Sequence, residues 1–296
     1  MFRRILCVTA GFALLAGCKT TEEAPVATLP PISQPATGVS NPGQIIWHDL
    51  ATPDLEGSKE FYGELLGWSF EQLNDKGRRY TAVYNGDARI GGMFEFTSRD
   101  RKDPTGEWLI NLSSADVAGT AAAFANAGGE VIEPARAIRN RGTAAFVRDP
   151  QQAVMVLVDS STGDPTEDFV PIGSWLWNEL WTHDGPAARA FYSELFGYGT
   201  EEMEGLGGRK YYLLKKGEAP VGGILEIQNK EIRPHWVPFV RVEDLQVSLV
   251  LAATLGANIL IEPNGDIRDG KVALIQSPTG EPIVLQEYSF EGGQSE

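Results

Sequence analysis

Histidine and cysteine are scarce in this chain of 296 residues, which has three His and two Cys. Cys7 lies in an apolar N-terminal run and Cys18 just beyond it, so the globular part has no cysteine pair for a disulfide. Cations are also short, with 25 Lys and Arg against 40 Asp and Glu and a formal charge of −15. That deficit excludes the clustered cations that phosphate neutralisation requires, and nucleic acid with them. It equally argues against electrostatic docking on anionic lipid. Beyond the N-terminal run, no apolar stretch reaches the ~18 residues of a membrane-crossing helix. What is present is 42% hydrophobic and 22% charged, enough for buried cores, at a length that suggests two domains.

Met1-Phe2-Arg3-Arg4, followed by apolar Ile5 to Ala16, reads as a secretory signal. Leu15-Ala16-Gly17-Cys18 resembles a bacterial lipobox, which implies removal of residues 1–17 and lipidation of Cys18. Several acyl chains anchor stably where one does not, so the expectation is a protein anchored to a membrane rather than spanning it. Residues 18–43 carry Pro25, Pro30, Pro31, Pro35 and Pro42 with few large apolar side chains, and are expected to form a disordered tether. Lys19 follows the cysteine, not Asp, and by resemblance to enterobacterial lipoprotein sorting this implies an outer-membrane location facing the periplasm.

The strongest organisational signal is an internal repeat. Trp47-His48-Asp49-Leu50 returns as Trp177-Asn178-Glu179-Leu180, and Phe61-Tyr62-Gly63-Glu64-Leu65-Leu66-Gly67-Trp68 returns as Phe191-Tyr192-Ser193-Glu194-Leu195-Phe196-Gly197-Tyr198. Ile90-Gly91-Gly92-Met93-Phe94-Glu95 answers Val221-Gly222-Gly223-Ile224-Leu225-Glu226. The repeat sets homologous domains at 44–161 and 173–290, a linker at 162–172 and a tail at 291–296. Within each, strand, helix and three strands occur twice. Asp54 can cap the first helix, and Gly67 suits its C-terminal end.

A β1 strand ending in Asp, then a helix carrying Phe-Tyr-x-x-Leu-x-Gly-Trp, in paired βαβββ modules, resembles the vicinal-oxygen-chelate superfamily of glyoxalases, bleomycin-resistance proteins and extradiol dioxygenases. The resemblance implies an α+β fold of two tandem domains, each forming a cupped mixed sheet. In metal-dependent members, His and Glu on several strands hold a divalent ion that polarises substrate oxygens, a role that needs about three protein ligands. Here the matching positions fall on Trp47, Leu109 and Val156, and on Trp177, Val237 and Val284, none of which can bind a metal. No metal cofactor is therefore expected.

What remains facing each cup is an acid beside aromatics. The candidate ligand-binding residues are Trp47, Asp49, Glu95, Trp175, Trp177, Glu179, Trp181 and Glu226, with Asp49 and Glu179 as candidate acid–base groups. Gly91-Gly92 and Gly222-Gly223 read as close backbone approaches. Three functions stay open: an envelope-anchored protein binding a small aromatic or cationic molecule, an enzyme, or a non-catalytic interaction module. The enzyme would be a glyoxalase-like lyase or dioxygenase-like oxidoreductase using Zn, Ni, Mn or Fe, with His48 as a ligand. The sequence leaves the oligomeric state open.

Overall fold

Each of the four α-helices among the described residues starts at an aspartate whose carboxylate accepts a backbone N–H of the first turn: Asp54, Asp116, Asp184 and Asp244. In the first and third, a left-handed glycine ends the helix, Gly67 at φ 71° and Gly197 at φ 68°. The structure, a computed structural model, describes residues 28–75, 78–96, 105–166, 169–204 and 209–290. The expected signal segment, Cys18 and the 291–296 tail lie outside the described residues.

Domain 1 runs β1 (Ile45–Thr52), α1 (Leu55–Leu66), β2 (Ser69–Asp75), β3 (Arg78–Asn85) and β4 (Ala88–Glu95), then β5 (Glu107–Ser113), α2 (Val117–Asn126), β6 (Glu130–Ile138), β7 (Gly142–Arg148) and β8 (Val154–Ser160). Domain 2 repeats this as β9 (Trp175–Thr182), α3 (Gly185–Phe196), β10 (Gly199–Glu204), β11 (Lys210–Lys216), β12 (Ala219–Glu226), β13 (His235–Val242), α4 (Leu245–Thr254), β14 (Asn258–Ile261), β15 (Val272–Gln276) and β16 (Pro282–Glu287). Each domain forms one mixed eight-stranded sheet, β2-β3-β4-β1-β5-β8-β7-β6 and its equivalent. β1 pairs parallel with β4 and antiparallel with β5, so the two modules join at the centre. This is the α+β, two-domain architecture that the repeat implies.

The helix-bearing faces of the two sheets meet. One core combines Phe124 and Leu157 with Phe191, Tyr192 and Trp236, and the other combines Phe61, Tyr62 and Trp108 with Leu249, Ile275 and Leu285. Each core thus joins the first module of one domain to the second module of the other. Tyr62, on α1, donates to Oε1 of Glu281 at 2.8 Å, and its repeat Tyr192 donates to Oδ2 of Asp149 at 3.0 Å. The motif aromatics therefore bind the domains together as well as packing their own helix.

Strand parity holds for Trp47, Asp49, Trp177 and Glu179 but breaks one residue earlier. A bulge between Ile45 and Trp47, matched near Trp175 and Trp177, turns Ile45 and Trp175 to the helix face and Ile46 and Leu176 to the cup. An extra residue in a pleated strand reverses every side chain before it.

The chain from Thr28 to Gly43 is not a free spacer. Thr28 bridges Arg139, Ile32 is buried, and Leu29 packs with it on Trp47, Leu109 and Val156 in the cup of domain 1. Further along, the hydroxyl of Thr37 donates to the Asp164 carbonyl at 2.7 Å, and the Asn41 amide donates to the Asp164 carboxylate at 2.6 Å. The expectation of disorder fails here because two aliphatic side chains find a ready apolar wall and the backbone carbonyls find arginines.

Candidate functional site

The two cups carry the same four groups. In domain 1, Asp49 accepts from Tyr80 Oη at 2.6 Å, Trp47 Nε1 at 3.0 Å and Asn111 Nδ2 at 3.1 Å. Arg141 donates from Nη2 to Tyr80 Oη at 3.0 Å and lies 4.6 Å over the Trp47 ring. In domain 2, Glu179 accepts from Arg268 Nη2 at 3.0 Å and Trp181 Nε1 at 3.3 Å. Tyr211 bonds Glu179 and accepts from Trp177 Nε1 at 3.1 Å. Burial pushes the Glu179 carboxyl above its ordinary range, and the Arg268 cation offsets this only in part. Burial also raises the Tyr211 phenol, with the Glu179 charge adding to it.

A glycine makes each tyrosine contact possible. A Cβ on Gly92 would lie 1.8 Å from Tyr80 Oη, and one on Gly223 would lie 2.0 Å from Tyr211 Oη. These are the close approaches that the Gly-Gly pairs suggest. Gly223→Ala should expel the Tyr211 hydroxyl from Glu179 and lower stability by about 1–3 kcal/mol, read as the urea midpoint at constant m.

The cups differ in what fills them. In domain 1, Arg141 Nε donates to the carbonyl of Pro30 at 2.8 Å and Arg89 Nη1 to that of Pro31 at 2.8 Å, so the chain itself occupies the cup. In domain 2, the cup is an open cavity of about 1020 Å³ whose lining includes Trp177, Glu179, Trp181, Tyr211, Phe239 and Arg268. Arg268 also donates from Nη1 to Gln286 Oε1 at 3.0 Å and lies 5.1 Å over Phe239. A smaller hollow of about 840 Å³ lies between α2 and α3, with five alanines among its twelve lining residues.

Not every candidate from the sequence lies in a cup. Trp175 stacks on His48 at 4.2 Å between the domains and donates to the Ile90 carbonyl at 2.7 Å. Glu226 accepts from the Gly185 amide at 3.2 Å, at the start of α3 on the helix face. Glu95 holds the equivalent place at the exposed end of β4. Both glutamates follow a cup-facing aromatic or leucine by one residue, and alternation carries them to the other side.

His48 also points away from the cups. It is 3% exposed, its Nε2 bonds Asn178 Oδ1 at 2.7 Å, and burial lowers its pKa to about 4. The positions that the resemblance assigns to metal ligands do not fit an ion. Trp47, Leu109, Val156, Trp177, Val237 and Val284 all face the cups and none offers a donor atom. Among the described residues, no group of three or more His, Cys, Asp or Glu is arranged to hold a metal.

Residues 44–156 match the family model of the Glyoxalase/Bleomycin resistance protein/Dioxygenase superfamily. The chain has that superfamily's fold, in two similar tandem β-sheet domains. It is 29% identical over 237 residues to the Mycobacterium tuberculosis protein CFP32, named as a glyoxylase, covering 79% of this chain and 90% of that one. It is 28% identical over 252 residues to the anthracycline biosynthesis protein DnrV of Streptomyces peucetius, covering 81% and 91%. Among solved structures, the Mn(II)-bound glyoxalase from Novosphingobium aromaticivorans aligns with a TM-score of 0.57 at 11% identity, over 84% of this chain and 83% of that one. The 2,3-dioxygenase LapB from Pseudomonas sp. KL28 aligns with a TM-score of 0.55 at 15% identity, over 86% and 94%.

Proposed function

We propose that this is a small-molecule-binding protein of the glyoxalase/bleomycin-resistance/dioxygenase superfamily, lipid-anchored to a bacterial envelope and using the cup of domain 2. The observation that carries this reading is the contrast between the cups, one filled by residues 29–32 and the other open over about 1020 Å³ with Trp177, Trp181 and Phe239 on its walls. Aromatic walls with a few convergent polar groups are what a flat organic ligand requires. A cation is not favoured, because Arg268 already answers the Glu179 carboxylate. Metal-dependent lyase or dioxygenase chemistry has no support from the donor set, and a pure interaction module does not account for an open cup.

The neutral fluorophore N-phenyl-1-naphthylamine tests the cup. It should bind with one-to-one stoichiometry, and Trp177→Ala should weaken it about tenfold, the ~1.4 kcal/mol of one aromatic contact. Binding unchanged in a folded Trp177→Ala protein would sink the reading. The anchor rests on the Leu15–Cys18 motif, and its test is separate. An alkyne fatty acid fed to cells should label the wild type and not Cys18→Ser.

A further inference from the structure

The segment in the cup of domain 1 shows what this constellation holds. Leu29 and Ile32 present aliphatic side chains to a wall of Trp47, Leu109 and Val156, on either side of the Pro30-Pro31 backbone. The polar contact at the centre is one N–H of Arg141, from Nε, to the Pro30 carbonyl at 2.8 Å. That carbonyl is a tertiary amide, which accepts and cannot donate.

Domain 2 offers the same donor. Arg268 lies beside the acid–tyrosine pair as Arg141 does, with Nη1 on Gln286 and Nη2 on Glu179. Its Nε–H has no partner among the described residues, and its side chain is 37% exposed and lines the cavity. The position that supplies a second donor in domain 1, Arg89, falls on Pro220 by the offset that aligns Gly92 with Gly223. One acceptor is therefore matched in domain 2, where the domain 1 cup matches two. Asn111, facing the cup of domain 1, is replaced by Phe239 in the equivalent register with Trp177, which makes the second cup more apolar.

We infer that the cup of domain 2 binds an apolar, ring-bearing molecule through a single carbonyl oxygen, which accepts from Nε of Arg268 while the rings pack against Trp177. This rests on the proposed binding role of the same cup and adds the chemical class of its ligand. Glu179 acts as a positioning residue, since its bond to Nη2 turns the guanidinium edge toward the hollow. Charge-assisted hydrogen bonds of this kind are the strong ones, and an arginine donor lining the cavity discriminates against a ligand lacking the acceptor.

The test compares N-benzoylpyrrolidine, a tertiary amide, with N-benzylpyrrolidine, the same skeleton carrying CH2 in place of C=O. Each is titrated against N-phenyl-1-naphthylamine bound to the full-length protein. The amide should displace the fluorophore at least about tenfold more effectively than the amine. In Arg268→Lys, which keeps the cation beside Glu179 but loses Nε–H, the ratio should fall to near one. Equal displacement by the two compounds in the wild type would overturn the carbonyl assignment and leave the pocket standing. Tighter binding of the amine would overturn it in favour of a cation on Glu179. An amide preference that survives Arg268→Lys would also overturn it, by moving the donor elsewhere. If the fluorophore itself ignores Trp177→Ala, the pocket reading fails, and this inference with it.

Discussion

Acidification from pH 6.5 to 4 should cost the wild type about 3 kcal/mol more stability than it costs a His48→Gln variant. His48 is buried between the domains against neutral partners, Asn178 and the Trp175 ring, and burial holds its pKa at about 4 against the ordinary 6.5. The folded pKa lies below the unfolded one, so the unfolded chain takes the proton first. The His48 contribution to stability is intact above pH 6.5, falls as pH drops through the window, and is largely lost by about pH 4. At about 1.4 kcal/mol per unit, the window corresponds to about 3 kcal/mol. Glutamine keeps a hydrogen bond to Asn178 and has no proton to gain. Asp149, Glu179 and Glu281 work in the opposite direction, because burial raises their carboxyl pKa values and the fold then favours the protonated form. Their contribution grows as pH falls below those raised values, in both proteins alike, and the difference between wild type and variant isolates His48. Urea unfolding at pH 7, 5.5 and 4 gives the comparison, and parallel pH curves would contradict it.

This histidine shows where the sequence was legible and where it was not. Its parity relative to Trp47 and Asp49 was readable, because alternation in a strand is local and the repeat doubled the signal. Its partner was not. Asn178 is the matching residue of the second repeat, 130 positions away, and only the meeting of the two helix faces brings the pair together. Trp175 was misplaced for a related reason: a bulge is a backbone event that the residue types around it do not announce. The acids and tryptophans of the cups could be counted from the repeat, and Tyr80 and Tyr211 stood at the same spacing as the glycines they cover. The arginines were harder. Arg141 precedes β7 directly, whereas Arg268 stands in a turn with φ 45°, four positions before β15, so the repeat does not align them. Loops that differ in length deliver equivalent guanidinium groups to equivalent acids. The ordered 28–43 segment was least legible, since its composition is that of a linker and its order comes from the cup it enters and from its bonds to Asp164.

That dependence makes the segment a sharp point of failure. Ile32 is 3% exposed in a cluster with Ile46, Trp47, Leu109, Ile138 and Val156, and cutting it to Ala removes buried methyl groups and leaves a void. Ile32→Ala should cost about 3 kcal/mol, in the range of large-to-small core changes. The two domains share their helix-side cores, so the folded body should unfold as one unit and the loss should appear as a single transition with Tm lower by about 6–12 °C. Pro30→Ala is the contrasting case, because Arg141 takes the backbone carbonyl and not the ring. Its cost should stay below about 1 kcal/mol, the scale of a small change in chain entropy and contact area. If both substitutions proved equally mild, the apolar anchor would not be what closes the first cup. If both proved equally severe, the prolyl ring would hold the segment as firmly as the isoleucine does. Only the split between them identifies Ile32 as the residue that turns a linker-like sequence into part of the core.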